Sequence, residues 1–190
     1  MCLRQDPRMD FEIRAIDADE WEQVRELRLA ALQDAPDAFG EKYENALALP
    51  EEGWRSRARK GARPESRVLA AVAKTDGRWI GMLRMGLADQ STAEEPLPAP
   101  VDVLPALEIM GVFVRPEHRG GGSAGVATQL VDEVCARARA EFGTGWAVLD
   151  VRLDNARAIA FYRRLGFEQT SIRLPGDAPG EEEVRMLKQL

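Results

Sequence analysis

The sequence predicts a mixed α/β domain, a single twisted sheet flanked by helices. Three observations predict it. Short apolar, β-branched runs alternate with stretches of helical period along most of the chain. Glycine and proline punctuate the junctions between them. The run LEIMGVFV at 107–114 passes through a glycine-rich corner directly into a helical pattern, as a buried strand feeding a helix does.

Taken in order, FEIRAI at 11–16 alternates apolar and polar residues and reads as a first strand. Asp17 or Asp19 is placed to cap the helix that follows, whose apolar face is Trp21, Val24, Leu27, Leu29, Ala31 and Leu32. DAPDAFG at 34–40 breaks it. A second helix is predicted over 50–60, with Pro50 at its start and Glu51 and Glu52 in its first turn. RVLAAVA (67–73) and RWIGMLRM (78–85) form a hairpin whose turn uses Asp76-Gly77 for positive φ. The proline-rich stretch 87–105 has no period and reads as a long loop, either a lid or a surface insertion. After the strand 107–114 come a helix over 124–141, a buried strand at 147–151, and a short helix over 155–165 ended by Gly166. Strands at 167–174 and 184–190 close the chain, with a loop between them.

With 190 residues, 45% of them hydrophobic, the chain suffices for one core, so residues 11–190 are expected to be a single domain behind a flexible tail, 1–10. The net charge of −6 argues against a general affinity for nucleic acid. No apolar run approaches a membrane span, and MCLRQDPRMDFEIR has no apolar signal-peptide core. Cys2 and Cys135 offer neither metal-ligand spacing nor a disulfide framework. The expectation is a cytoplasmic protein that needs no metal and binds no membrane.

Three consecutive glycines, Gly120, Gly121 and Gly122, follow Arg119 at the strand-to-helix corner VRPEHRGGGSAG. Glycine is poor in both elements, so the backbone must be bare for a reason. Amides at a helix start lack partners and point one way, and the helix dipole adds positive potential. That combination suits a phosphate or pyrophosphate. No Gly-Lys-Ser/Thr follows, and there is no clean GxGxxG, so neither nucleotide-loop fingerprint applies.

Val114-Arg-Pro-Glu-His-Arg119-Gly120 with the small residues after it resembles motif A, V-x-P-x-x-R-G-x-G-x-G/A, of the GNAT superfamily of N-acetyltransferases. Asn155-Ala-Arg-Ala158-Ile-Ala-Phe161-Tyr162-Arg-Arg-Leu-Gly166-Phe167 resembles its motif B, N-x-x-A-x-x-F-Y-x-x-x-G-F. The resemblance implies an acyl-CoA N-acyltransferase fold and acetyl-CoA as co-substrate. It also implies an acceptor that is a small-molecule amine or a protein amino group, and homodimers. The loop fits motif A in two ways, as Arg119–Ala124 read from the strand and as Gly122–Ala127 read from the helix, three residues apart. The pyrophosphate site is therefore assigned to the loop as a unit: Arg119, Gly120, Gly121, Gly122, Ser123, Ala124, Gly125, Val126 and Ala127. Arg119 is either a phosphate partner or a solvated side chain.

Acetyl transfer needs a free amine. A lysine-like amine with pKa about 10.4 gives up its proton at pH 7 at a cost of about 4.6 kcal/mol. The resemblance implies that Val112, Phe113 and Val114 lend backbone amides to the cofactor, and that Tyr162 is the general acid for the leaving thiolate. Gly111 suggests a bulge or a close backbone approach. Asn155 lies seven residues before Tyr162, on the same helix face, and either contacts the cofactor or only caps the helix. Glu108, counted by strand period onto the face of Met110, Val112 and Val114, is the general-base candidate, its alternative being a charged residue at the strand entrance. Trp21, Phe39, Tyr43, Trp54 and Trp79 are candidates to line the acceptor pocket or to be core, and Glu181–Glu183 to attract a cationic amine or to be solvated. A non-catalytic acyl-CoA-binding module is the competing reading.

Overall fold

Seven strands form one mixed sheet in the order β1-β2-β3-β4-β5-β7-β6. They are β1 (Phe11–Ala15), β2 (Val68–Ala73), β3 (Trp79–Ala88), β4 (Ala106–Val114), β5 (Trp146–Arg152), β6 (Glu168–Pro175) and β7 (Glu182–Gln189). The helices are α1 (Trp21–Asp34), α2 (Tyr43–Leu47), α3 (Glu51–Gly61), α4 (Val126–Arg137) and α5 (Ala156–Arg164). The computed structural model describes residues 10–88, 105–176 and 180–190. The fold class agrees with the sequence expectation. The long loop expected at 87–105 falls largely outside the described residues, although Leu87 and Ala88 belong to β3.

Antiparallel pairs join β1 to β2, β2 to β3, β5 to β7 and β7 to β6. The parallel pairing of β4 to β5 covers Leu107↔Ala147 and Glu108↔Val148, at the starts of the two strands. The chain divides into two compact units, Met1–Arg84 with Gly111–Val134, and Met85–Met110 with Cys135–Leu190. In the first, Ile16, Leu27, Ala31, Val72 and Phe113 share one apolar cluster, while Leu32, Ala46 and Trp54 share another. In the second, Ala88, Ala106 and Val148 pack with Trp146 and Leu187.

Several local expectations are corrected. Neither Asp17 nor Asp19 caps α1. Its N-cap is Glu20, whose carboxylate instead accepts from the Asp17 N–H at 2.7 Å. In the hairpin turn only Gly77 takes positive φ, 73°. Asp76 contributes its carboxylate, which accepts from the Arg78 N–H at 3.0 Å. Five residues at 43–47 form α2, which is too short for a readable period and buries only Ala46. The helix expected over 124–141 begins at Val126 and ends in a π-turn, Ala138–Phe142. Strand β7 starts at Glu182, two residues early, so Glu182 and Glu183 belong to a strand. Asp10, assigned to the tail, is held by Lys74 through a backbone bond of 3.0 Å and an ion pair of 2.9 Å.

Candidate active site

The first unit contains the glycine corner. Gly120, Gly121 and Gly122 have φ of 104°, 81° and 57°, a run of left-handed backbone that β-carbons would strain. The run wraps over itself: a Cβ at Gly125 would lie 2.2 Å from the Gly120 carbonyl oxygen. The Ala124 N–H donates to the Gly121 carbonyl and the Gly125 N–H to the Gly122 carbonyl, both at 3.1 Å. These two donors are therefore unavailable to a ligand. Among the described residues the amides of Gly120, Gly121 and Gly122 have no acceptor. The first intrahelical bond of α4, from the Gln129 N–H to the Gly125 carbonyl, leaves Val126, Ala127 and Thr128 as the orphan donors of a helix start. The Thr128 hydroxyl and the Gln129 amide fasten the corner by donating to the Gly122 and Ala124 carbonyls, at 3.0 and 2.7 Å.

Arg119 is exposed but engaged. Its Nε donates to the Val114 carbonyl at 2.9 Å, its Nη2 pairs with Asp34 at the end of α1, and its guanidinium lies 5.7 Å from the Phe113 ring centroid. It ties the corner to β4 and α1. Arg115, which sequence reasoning passed over, is buried and does similar work, with Nε on the Trp79 carbonyl at 2.8 Å and Nη2 on Glu26 at 2.6 Å. His118 keeps a buried Nδ1 without a partner among the described residues.

In β4, Gly111 has φ of 59°, as its position in mid-strand suggested. This break stops the period-two count, so Glu108 cannot be assigned to the face of Val112 and Val114 by counting. Phe113 and Val114 are both buried, and Val112 is half-buried. Facing Gly111 is Arg28 of α1, whose Nη1 lies 4.0 Å from where a Cβ of Gly111 would stand. The Arg28 Nε donates to Glu41 at 3.1 Å, and its guanidinium covers the Phe39 ring at 4.7 Å. Arg57 holds the same carboxylate with two bonds, of 2.5 and 3.0 Å. Burial pushes the Arg28 pKa down more than Glu41 raises it. For Glu41, burial raises the pKa, but the two arginines outweigh it and hold the carboxyl below its ordinary value.

The aromatic candidates divide. Trp54 and Trp79 are core, and the Trp54 indole N–H has no partner among the described residues. Trp21, Phe39 and Tyr43 are partly buried around the Leu32–Trp54 cluster.

The second unit contains Tyr162, Asn155 and Glu108. Tyr162 is on α5, edge-on to Phe161 and Phe167 with centroids 5.1 and 5.8 Å away. Burial pushes its phenol above the ordinary value. Among the described residues the hydroxyl makes no hydrogen bond, so the proton stays on and the donor is unclaimed. Asn155 is the N-cap of α5, its Oδ1 accepting from the Ala158 N–H at 3.0 Å. Gly166 ends the helix with φ of 87°, as expected. Glu108 is half-buried, and its charge helps to raise the pKa of Arg185, whose main partner is Asp150. That pair is bidentate, 2.8 and 2.7 Å, with Arg185 buried. Glu181 pairs with Arg152 at 2.5 Å. Cys135 is buried on α4, while Cys2 is outside the described residues. Among the described residues no cluster of His, Cys, Asp and Glu is arranged to hold a metal ion, and no helix is long and apolar enough to cross a membrane.

A model of the acetyltransferase (GNAT) family matches residues 21–167. Similar solved structures include a ribosomal-protein-alanine N-acetyltransferase from Brucella melitensis, with TM-score 0.68 and 20% identity over 94% of this chain and 99% of that one. The PaiA N-acetyltransferase from Thermoplasma acidophilum in complex with coenzyme A gives 0.65 and 16%, covering 95% and 99%. A spermidine N-acetyltransferase from Vibrio cholerae, in complex with CoA and spermine, gives 0.67 and 14%, covering 95% of each chain. At these identities the likeness is one of fold. No curated protein matches the sequence.

Proposed function

The chain belongs to the GNAT family of acetyltransferases, and on that premise we propose that it acetylates an amine with acetyl-CoA by direct attack of the amine on the thioester. One observation carries the reading: three successive left-handed glycines, with amides that have no acceptor among the described residues, just before a 12-residue helix. Such a corner fits a pyrophosphate in charge and in shape.

Acetyl-CoA supplies the activated acyl group when bound. The amides of Gly120–Gly122 and of the first turn of α4 hold its pyrophosphate. The backbone of Val112–Val114 lies along its pantetheine arm. Tyr162 keeps its phenol protonated and donates to the leaving sulfur. Its raised pKa makes it a weaker acid than an exposed tyrosine, but the same burial would raise the pKa of a thiol beside it, whose ordinary value is about 8.5. Glu108 is the carboxylate assigned to take the proton of the amine. Asn155 serves first as the cap that fixes the start of α5.

Calorimetry and thermal shift with acetyl-CoA, followed by thiol release against a panel of amines, test this reading. Acetyl-CoA should stabilise the protein more than ATP does; the reverse order overturns the proposal. Gly125→Ala, which must force the loop open, should weaken acetyl-CoA binding far more than Gly122→Ala, whose Cβ meets open space and only the left-handed strain of about 1–2 kcal/mol. Tyr162→Phe should lower turnover by about 10²- to 10⁴-fold with acetyl-CoA affinity retained. Binding without thiol release from any amine would favour a non-catalytic acyl-CoA module.

A further inference from the structure

Arg28 has three places to make contacts, and the protein uses two of them. Phe39 covers a face of the guanidinium, at 4.7 Å, and Glu41 takes the Nε edge, at 3.1 Å. The remaining edge, Nη1 with Nη2, has no acceptor among the described residues. This edge is not simply solvated, because the side chain is only 22% exposed and burial lowers its pKa. A guanidinium withdrawn this far from water normally finds partners for its remaining donors. Here it faces Gly111, the one residue of β4 with no side chain and with a left-handed backbone, across a space in which a Cβ would meet nothing nearer than Nη1 at 4.0 Å.

We propose that this space is an acceptor subsite in which the Nη1/Nη2 edge of Arg28 holds a carboxylate of the substrate, so that the amine acetylated belongs to an amino acid rather than to a polyamine. The assignment rests on the acetyltransferase reading for its word "acceptor", and on the geometry alone for its anion.

Two arguments favour a monoanionic carboxylate. Its two oxygens match the paired donors of a guanidinium edge. The charge also closes: two arginines, Arg28 and Arg57, against one carboxylate, Glu41, leave one net positive charge. One carboxylate neutralises it, whereas a doubly charged phosphate would leave a half-buried anion in excess. The coenzyme's own phosphates belong to another place. Arg28 precedes Asp34, the α1 residue tied to the corner through Arg119, by six residues, about 9 Å of helix.

The test is calorimetric binding to the full chain, with and without coenzyme A, of L-amino acids, the matching amino-acid amides, and spermidine. At least one acid should bind about 10- to 100-fold more tightly than its amide, the worth of a charge-assisted hydrogen-bonded pair. Arg28→Gln should bring that ratio close to one, and Arg28→Lys should restore part of it, with the unfolding midpoint of each variant confirming that it is folded. Equal affinity for acid and amide, tighter binding of amides or spermidine, failure of every acid to bind, or a ratio unchanged in Arg28→Gln each overturns the proposal. Loss of coenzyme A binding alongside a retained acid preference would instead overturn the acetyltransferase reading and leave the anion site standing.

Discussion

Arg185 and Arg28 are both drawn out of solvent, and their surroundings complete them differently. Arg185 on β7 meets Asp150 on β5 face to face, two bonds on one carboxylate, with Glu108 and Glu183 adding to the field that raises its pKa. Arg28 shares one oxygen of a carboxylate that is also held by Arg57, and its pKa is lowered because burial outweighs that single contact. The contrast separates a structural charge from a poised one. An ion pair with both members matched clamps two strands and offers nothing to a ligand. A guanidinium that is half-buried and keeps a free edge has unmet hydrogen-bonding capacity, and a ligand can meet it.

The largest expected effect breaks the matched pair. Asp150→Ala leaves Arg185, 5% exposed, without its carboxylate. Removing one partner of a buried pair typically costs about 3–5 kcal/mol. A loss near 3 kcal/mol in urea unfolding is expected, since Asp150 itself keeps some solvent contact. A loss below about 1 kcal/mol would erase the distinction between the two arginines.

Glu41→Gln comes next, at about 1 kcal/mol, because Arg57 is more than a third exposed and screening weakens its share. Its pH dependence sharpens the comparison. The folded-state pKa of Glu41 is depressed, so its stabilisation is fully present above the unfolded value of about 4.3 and is lost as pH falls through the folded one. The stability gap between the wild type and Glu41→Gln should therefore hold constant from about pH 7 to 5 and shrink below about pH 4. Glu20, depressed by Arg14, titrates in the same direction, but it is common to both proteins and cancels in the difference. A gap that widens on acidification would mean that Glu41 is protonated in the fold.

Neither arginine was legible in the sequence, and the reason is the same for both. Arg185 bonds to a residue 35 positions away and Arg28 to one 13 away, through sheet register and helix packing that no local spacing encodes. What is local was readable. The glycine run announced its left-handed corner, Gly166 its cap, and Gly111 an irregular backbone in mid-strand, because each is a demand of the backbone itself. Asn155 was readable as a cap for the same reason: its acceptor is three residues on. Where a long-range partner decides the outcome, counting failed. Local spacing gives no sign that Arg119 pairs with Asp34, 85 residues away. The face of Glu108 cannot be read by counting, because a left-handed glycine at position 111 interrupts the strand's alternation.

The smallest expected effect is the most discriminating. Arg28→Gln removes a charge that is partly desolvated and only partly compensated, so the lost contact with Glu41 and the relieved burial cost oppose each other. Glu41 keeps Arg57, bound through two bonds, and is not left unpaired. The unfolding free energy should change by no more than about 0.5 kcal/mol, as for a substitution without a structural task. Were Arg28→Gln to cost as much as Asp150→Ala, the free edge would have to be structural, and Arg28 would join Arg185 among the clamps of the fold. A small change in stability together with lost discrimination between amino acids and their amides is the pairing that only a ligand-facing arginine produces.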